Sequence, residues 1–181
     1  MNVRKAGRPA RCAAVALLAW SLLAAVPAAA TPAPANSKKA SPEFFFRNVN
    51  SRLCLTLAGG SAALNQSAVQ YYCDTDPSRH WVLNNIAGTS KWFIKNVNSG
   101  LCLTVAGGSK ALNQVAVQYH CDSHPSRHWR LVPTGDGTNF LRNMNSGLCL
   151  TLAGGSTGLN QVAVQYHCDS HPSRRWTLAV A

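Results

Sequence analysis

From Phe46 to Leu178 the apolar residues come in short bursts separated by turn-forming clusters. LCLTL and AVQYHC alternate or run apolar over lengths that suit strands, and the breaks are NSG, AGGS and DSHPS. The AGGS glycines supply the positive φ that a tight turn needs, and Asn-Ser-Gly reads as a hairpin connection. No stretch of this region is expected to be helical.

The pattern recurs. FRNVNSRLCLTLAGGSAALNQSAVQYYCDTDPSRHWVL spans 46–83, and related copies span 93–131 and 140–178. Trp81, Trp129 and Trp176 are 48 and 47 residues apart, and the fifteen residues NQVAVQYHCDSHPSR are identical at 113–127 and 160–174. Each copy predicts four short strands, in the first around Phe46, Leu55, Val69 and Trp81. A period of this length marks a repeat architecture in which no unit buries its apolar face alone. Propellers typically need at least about four blades. Three units closing one barrel about a pseudo-threefold axis, with the tryptophans in its core, is therefore the expectation. Active sites are usually single and asymmetric, so the near-verbatim copying points to a surface used more than once.

The chain's front end reads differently. MNVRKAGRPAR carries Arg4, Lys5, Arg8 and Arg11; CAAVALLAWSLLAAV is apolar apart from Ser21; PAAA offers a small-residue cleavage site after Ala30. Residues 1–30 are expected to be a secretion signal peptide, the apolar run being shorter than the roughly 20 residues of a membrane span. TPAPANSKKAS has a flexible linker's composition. The expected organisation is a linker over 31–43 and one domain over 44–181, with units 44–83, 92–131 and 139–178, secreted and free of membrane after cleavage. Six of the seventeen Lys and Arg behind the net charge of +11 lie in residues 1–41; from residue 42 onward eleven Lys and Arg face six acids. No basic stripe or interleaved basic-aromatic run is present, which argues against nucleic acid as a partner.

Six cysteines lie beyond the leader, and Cys54 to Cys73, Cys102 to Cys121 and Cys149 to Cys168 are each nineteen positions apart. Sequence alone permits about fifteen connectivities. Equivalent units should pair alike, so three local disulfides are expected, each contributing about 3 kcal/mol in the chain-entropy picture. Catalysis is not expected: beyond the leader there are only Glu43 and five aspartates, with no nucleophile elbow, zincin motif or phosphate loop. His120, His124 and His128 fall four apart and His167 and His171 partly repeat them, but strand, turn and proline context points such side chains apart. No metal or cofactor is expected.

The combination of NSGLCLTVAGGS, VQYHC closing a nineteen-residue cysteine interval, and a tryptophan eight residues later resembles the ricin B-type lectin repeat of bacterial secreted proteins. The resemblance covers 44–178. It implies an all-β β-trefoil with up to three shallow sugar sites, a monomer that binds carbohydrate without catalysis. The family's sugar-stacking aromatic falls on Tyr71, Tyr119 and Tyr166, whose flat faces suit the C–H face of a sugar while the hydroxyl stays in water. The family's aspartate falls on Thr56, Thr104 and Thr151, and its glutamine on Val69, Val117 and Val164. Gln70, Gln118 and Gln165 come one residue later, on the other face of the strand. Ser78-Arg79, Ser126-Arg127 and Ser173-Arg174 replace its Asn-Gln element.

The departures are the same in every unit. Each also places an aspartate five residues before the arginine: Asp74 and Arg79, Asp122 and Arg127, Asp169 and Arg174. Such a pair either braces a turn or forms the polar wall of an altered pocket, where arginine's fork suits hydroxyls or the acid groups of uronic acids and sulfated glycans. Asn65, Asn113 and Asn160, on the connection before the third strand, complete the candidate set. The alternative expectation is a protein-binding or inhibitory scaffold with degenerate sugar pockets.

Overall fold

The computed structural model describes residues 41–181. The expected signal peptide, and all but the last three residues of the expected linker, lie outside the described residues. Twelve strands follow one another: β1 (Glu43–Asn48), β2 (Cys54–Leu57), β3 (Ala68–Tyr71), β4 (Trp81–Asn85), β5 (Trp92–Asn96), β6 (Cys102–Val105), β7 (Ala116–Tyr119), β8 (Trp129–Pro133), β9 (Asn139–Asn143), β10 (Cys149–Leu152), β11 (Ala163–Tyr166) and β12 (Arg175–Val180). Among the described residues the only helical elements are six three-residue 3-10 turns, two per unit, at the Ala-Gly-Gly and Pro-Ser-Arg positions. Strand β1 opens at Glu43 because that residue pairs with Val82 on β4 and its carboxylate meets His80 at 3.0 Å.

Six strands close a ring. β1 pairs with β4, β4 with β5, β5 with β8, β8 with β9, β9 with β12, and β12 with β1, all antiparallel. Closure removes the free edges that an open sheet would expose. The remaining strands form three hairpins, β2–β3, β6–β7 and β10–β11, which meet one another through the bridges Ser67–Val117, Val69–Val162 and Val115–Val164. The architecture is the β-trefoil, three four-stranded units about a pseudo-threefold axis.

The core repeats in threes for the same reason. Trp81, Trp129 and Trp176 are fully buried together with Phe46, Ile94 and Leu141 and with Leu55, Leu103 and Leu150. Each indole N–H donates to a carbonyl of its own unit's hairpin, Leu55, Leu103 or Leu150, at 2.9, 2.8 and 3.0 Å, so no polar atom of the tryptophan is stranded. Cys54–Cys73, Cys102–Cys121 and Cys149–Cys168 are the three disulfides, each closing a hairpin within its unit.

The units are bound to one another by buried amides that sequence reading left unassigned. Asn48, Asn96 and Asn143 are buried in the barrel wall and donate to the carbonyls of Ser173, Ser78 and Ser126, each in the preceding unit, at 2.8 Å. Gln70, Gln118 and Gln165 are completely buried; Gln70 Nε2 donates to the carbonyls of Ser156 and Gly158 across the unit boundary. Polar groups this deep are tolerated because they are satisfied.

Candidate functional site

Three equivalent pockets open on the surface, with volumes of about 330, 420 and 400 Å³ in the first, second and third units. Each begins at the Ala-Gly-Gly turn after the hairpin's first strand. Gly59, Gly107 and Gly154 have φ of 62–63°, a left-handed conformation that glycine, having no Cβ, adopts without strain. Across the opening stands the tyrosine that ends β3, β7 or β11, and beside it the Pro-Ser-Arg turn.

The fourth wall comes from another unit. Asn160 lines the first pocket, Asn65 the second and Asn113 the third. All three asparagines have φ near +60°, which asparagine tolerates better than most side chains. A glutamine latch sets their position: the buried side-chain amide of Gln118 holds the loop before Asn65, whose N–H donates to the main-chain carbonyl of Gln118 at 2.9 Å, and Gln165 and Gln70 hold Asn113 and Asn160 in the same way. Every pocket is therefore completed across a unit boundary. Among the described residues, neither the asparagine side-chain amides nor the tyrosine hydroxyls take part in any hydrogen bond, which leaves them open to a ligand.

Arginine and tyrosine form one surface. The Cζ of Arg79, Arg127 and Arg174 lies 4.9, 4.8 and 4.9 Å from the ring centroid of Tyr71, Tyr119 and Tyr166. At this distance the guanidinium is attracted by the ring's negative face. The expected aspartate–arginine pairs are present, with Asp74 to Arg79 at 3.0 Å, Asp122 to Arg127 at 3.2 Å and Asp169 to Arg174 at 3.0 Å. The aspartates also accept backbone N–H groups two residues on, from Asp76, His124 and His171, so they brace the turn. These are ion pairs by distance without the alignment of hydrogen bonds: Nε of all three arginines lacks an in-line acceptor. The aspartates of these pairs are half-exposed while the arginines are largely buried, so the guanidinium is held in place beside the tyrosine.

Thr56, Thr104 and Thr151 line the pockets but are buried, and each hydroxyl donates inward to the carbonyl of Ser78, Ser126 or Ser173 at 3.0, 3.1 and 3.0 Å. Val117 and Val164 give the second and third pockets an apolar floor. A residue outside the expected set also joins each pocket, from the position before the Pro-Ser-Arg turn: Asp76, His124 or His171. Its only trace in the sequence is an alignment column where the copies disagree. The other histidines are scattered. His120 and His167 pack edge-on against their neighbouring tyrosines, and His128 sits on Phe93. Among the described residues no three His, Cys, Asp or Glu gather at metal-binding distance, and no helix is long and apolar enough to cross a membrane.

Known proteins share this fold. A family model described as ricin-type beta-trefoil lectin domain-like matches residues 20–92 and 79–166. No curated protein matches the sequence. Among solved structures, the designed threefold-symmetric protein ThreeFoil superposes with a TM-score of 0.75 at 23% identity, over 77% of this chain and 99% of that one. The exo-beta-1,3-galactanase 1,3Gal43A of Clostridium thermocellum gives 0.75 at 25% identity, over 78% of this chain and 31% of the galactanase. A Polyporus squamosus lectin, bound to an influenza-binding epitope, gives 0.64 at 15% identity, over 80% of this chain and 50% of the lectin. By the extent of the family match and by its threefold architecture, the chain belongs to the ricin-type β-trefoil lectin domain-like family.

Proposed function

We propose that this protein is a secreted, monomeric carbohydrate-binding module that holds a glycan or polysaccharide at three equivalent shallow sites and performs no chemistry on it. One observation carries the reading. The same pocket is built three times, each time lined by a tyrosine and an asparagine whose side-chain polar groups have no hydrogen-bond partner among the described residues, and by an arginine held by the turn aspartate. Family membership supports it, as does the likeness to part of an enzyme whose name declares a galactan substrate. Three disulfides suit an oxidising, extracellular setting.

Each site is open and buries little, so one sugar should bind weakly. A chain of repeated sugars reaching two or three sites gains about 10²- to 10⁴-fold in avidity where the spacing fits. Stacking on the tyrosine and bidentate donation from arginine supply the contacts, the first apolar and the second polar.

A second reading, a protein-binding scaffold, has one observation in its favour: Leu64, Leu112 and Leu159, each immediately before a pocket asparagine, are 42–45% exposed. Retention on immobilised polysaccharides, followed by elution with free oligosaccharide, separates the two. Release by sugar is the expected result; retention by a protein ligand that sugar does not disturb contradicts the carbohydrate reading.

A further inference from the structure

The apolar linings of the three pockets differ slightly, with Val105 where the others have Leu57 and Leu152 and a valine floor only in the second and third, but their charge differs at a single position. In the first unit the residue before the Pro-Ser-Arg turn is Asp76. Its Oδ1 accepts the Ser78 N–H at 2.8 Å, while Oδ2 lies 3.0 Å from Arg79 Nη1. That same nitrogen is 3.0 Å from Asp74 Oδ1. One guanidinium is thus flanked by two carboxylates, and the first pocket carries a net negative charge.

His124 and His171 occupy the position in the second and third units. Each Nδ1 accepts the N–H of the turn serine at 3.2 Å. Accepting there places the neutral ring's proton on Nε2, which has no hydrogen-bond partner among the described residues and belongs to an exposed side chain. The arginines are turned as well. Arg127 and Arg174 face their single aspartate through Nε, at 3.2 and 3.0 Å, and donate from Nη1 to the serine hydroxyl at 3.2 and 3.3 Å. These pockets hold one cation against one carboxylate, with an imidazole N–H free on the rim.

An anionic sugar therefore meets different fields. In the first pocket it confronts a carboxylate for which the arginine has no charge left; in the other two it meets guanidinium and imidazole donors, which bind oxyanions most strongly when charged. We infer that the second and third pockets are selective for saccharides bearing a carboxylate or sulfate, and that Asp76 turns the first pocket to neutral sugars. The inference rests on the carbohydrate reading above and assigns Asp76, His124 and His171 as the residues that set specificity.

The exchange of these side chains is tolerated by design of the repeat, because aspartate and histidine cap the same serine N–H in different units. Calorimetric titration with oligogalacturonate, a sulfated oligosaccharide and a neutral galacto-oligosaccharide tests it on three proteins: wild type, Asp76→His, and His124→Asp with His171→Asp. Wild type is expected to bind the acidic ligand at two sites per chain. Asp76→His is expected to raise that to all three pockets. The double variant should lose about tenfold or more in acidic affinity, with neutral affinity changed less than about twofold. The uronate and sulfate arms show which anion fits better. Acidic-to-neutral ratios equal to wild type in both variants overturn the inference while the carbohydrate reading stands. Failure of every saccharide to bind wild type overturns that reading and the inference with it.

Discussion

The side-chain amide of Gln118 donates to the carbonyl of Ala63, in the preceding unit, at 2.7 Å. A second bond from the same nitrogen reaches Ser61 O at 3.0 Å, and its oxygen accepts from the Ser99 hydroxyl at 2.6 Å. The loop pinned in this way carries Asn65 into the second pocket. The stability of the fold and the shape of the second pocket thus share one buried side chain, far from solvent.

Replacing that glutamine separates the two roles. Gln118→Leu keeps an apolar volume but strands two carbonyls and a hydroxyl, so urea unfolding should show a loss of about 1–3 kcal/mol. Saccharide affinity is expected to fall at the second pocket alone. Asn65→Ala, which leaves the latch intact, should weaken that pocket with little change in unfolding.

The rim glycines offer a sharper steric contrast. Gly107 and Gly108 both have φ near +62°, but a Cβ on Gly107 meets nothing within 4 Å, whereas one on Gly108 lies 2.9 Å from His124 Cε1. Both alanine variants should lose about 1–2 kcal/mol to the left-handed backbone. Only Gly108→Ala is expected to displace the imidazole, visible as a shift of the His124 ring resonances that Gly107→Ala leaves unchanged.

Acid should weaken the fold in two stages. His128 is held below its ordinary 6.5 by burial, so the unfolded chain takes up that proton first and stability declines as pH falls below 6.5. Asp76 is held below 3.8 by hydrogen bonds from Ser78 and then by Arg79; Asp136 is held lower by the hydroxyls of Thr134 and Thr138 and by Arg175. The stability these carboxylates contribute is complete above 3.8 and is lost as pH falls through their lower folded values. Melting temperatures measured across pH should therefore fall from neutrality downward, and Asp136→Asn should flatten only the more acidic part of the curve.

Much of this molecule is legible in its sequence. Four strands per unit, the threefold barrel, the tryptophan core and the local disulfides all follow from patterns that repeat within one unit, and repetition makes such patterns visible. What stayed hidden depends on contacts between units. The spacing of Gln118 identified the face it points to but not the loop of the preceding unit that it holds. Asn65 was a candidate rim residue, yet nothing local indicates that it completes the pocket of the next unit and not its own. Likewise Arg127 was paired with Asp122 by position, while its place over Tyr119 depends on how the turn folds back on the strand. Thr104 is a ligand candidate by sequence, and the fold directs its hydroxyl inward to Ser126.

Titration of a multivalent polysaccharide into the triple variant Tyr71→Ala, Tyr119→Ala, Tyr166→Ala tests the three-pocket claim most directly, because each substitution removes both the ring and the support under the neighbouring guanidinium. Single variants should each weaken binding stepwise, and the triple variant, still folded by its melting curve, should show no detectable heat. Undiminished binding by that folded triple variant would place the ligand elsewhere on the protein and contradict the three-pocket claim.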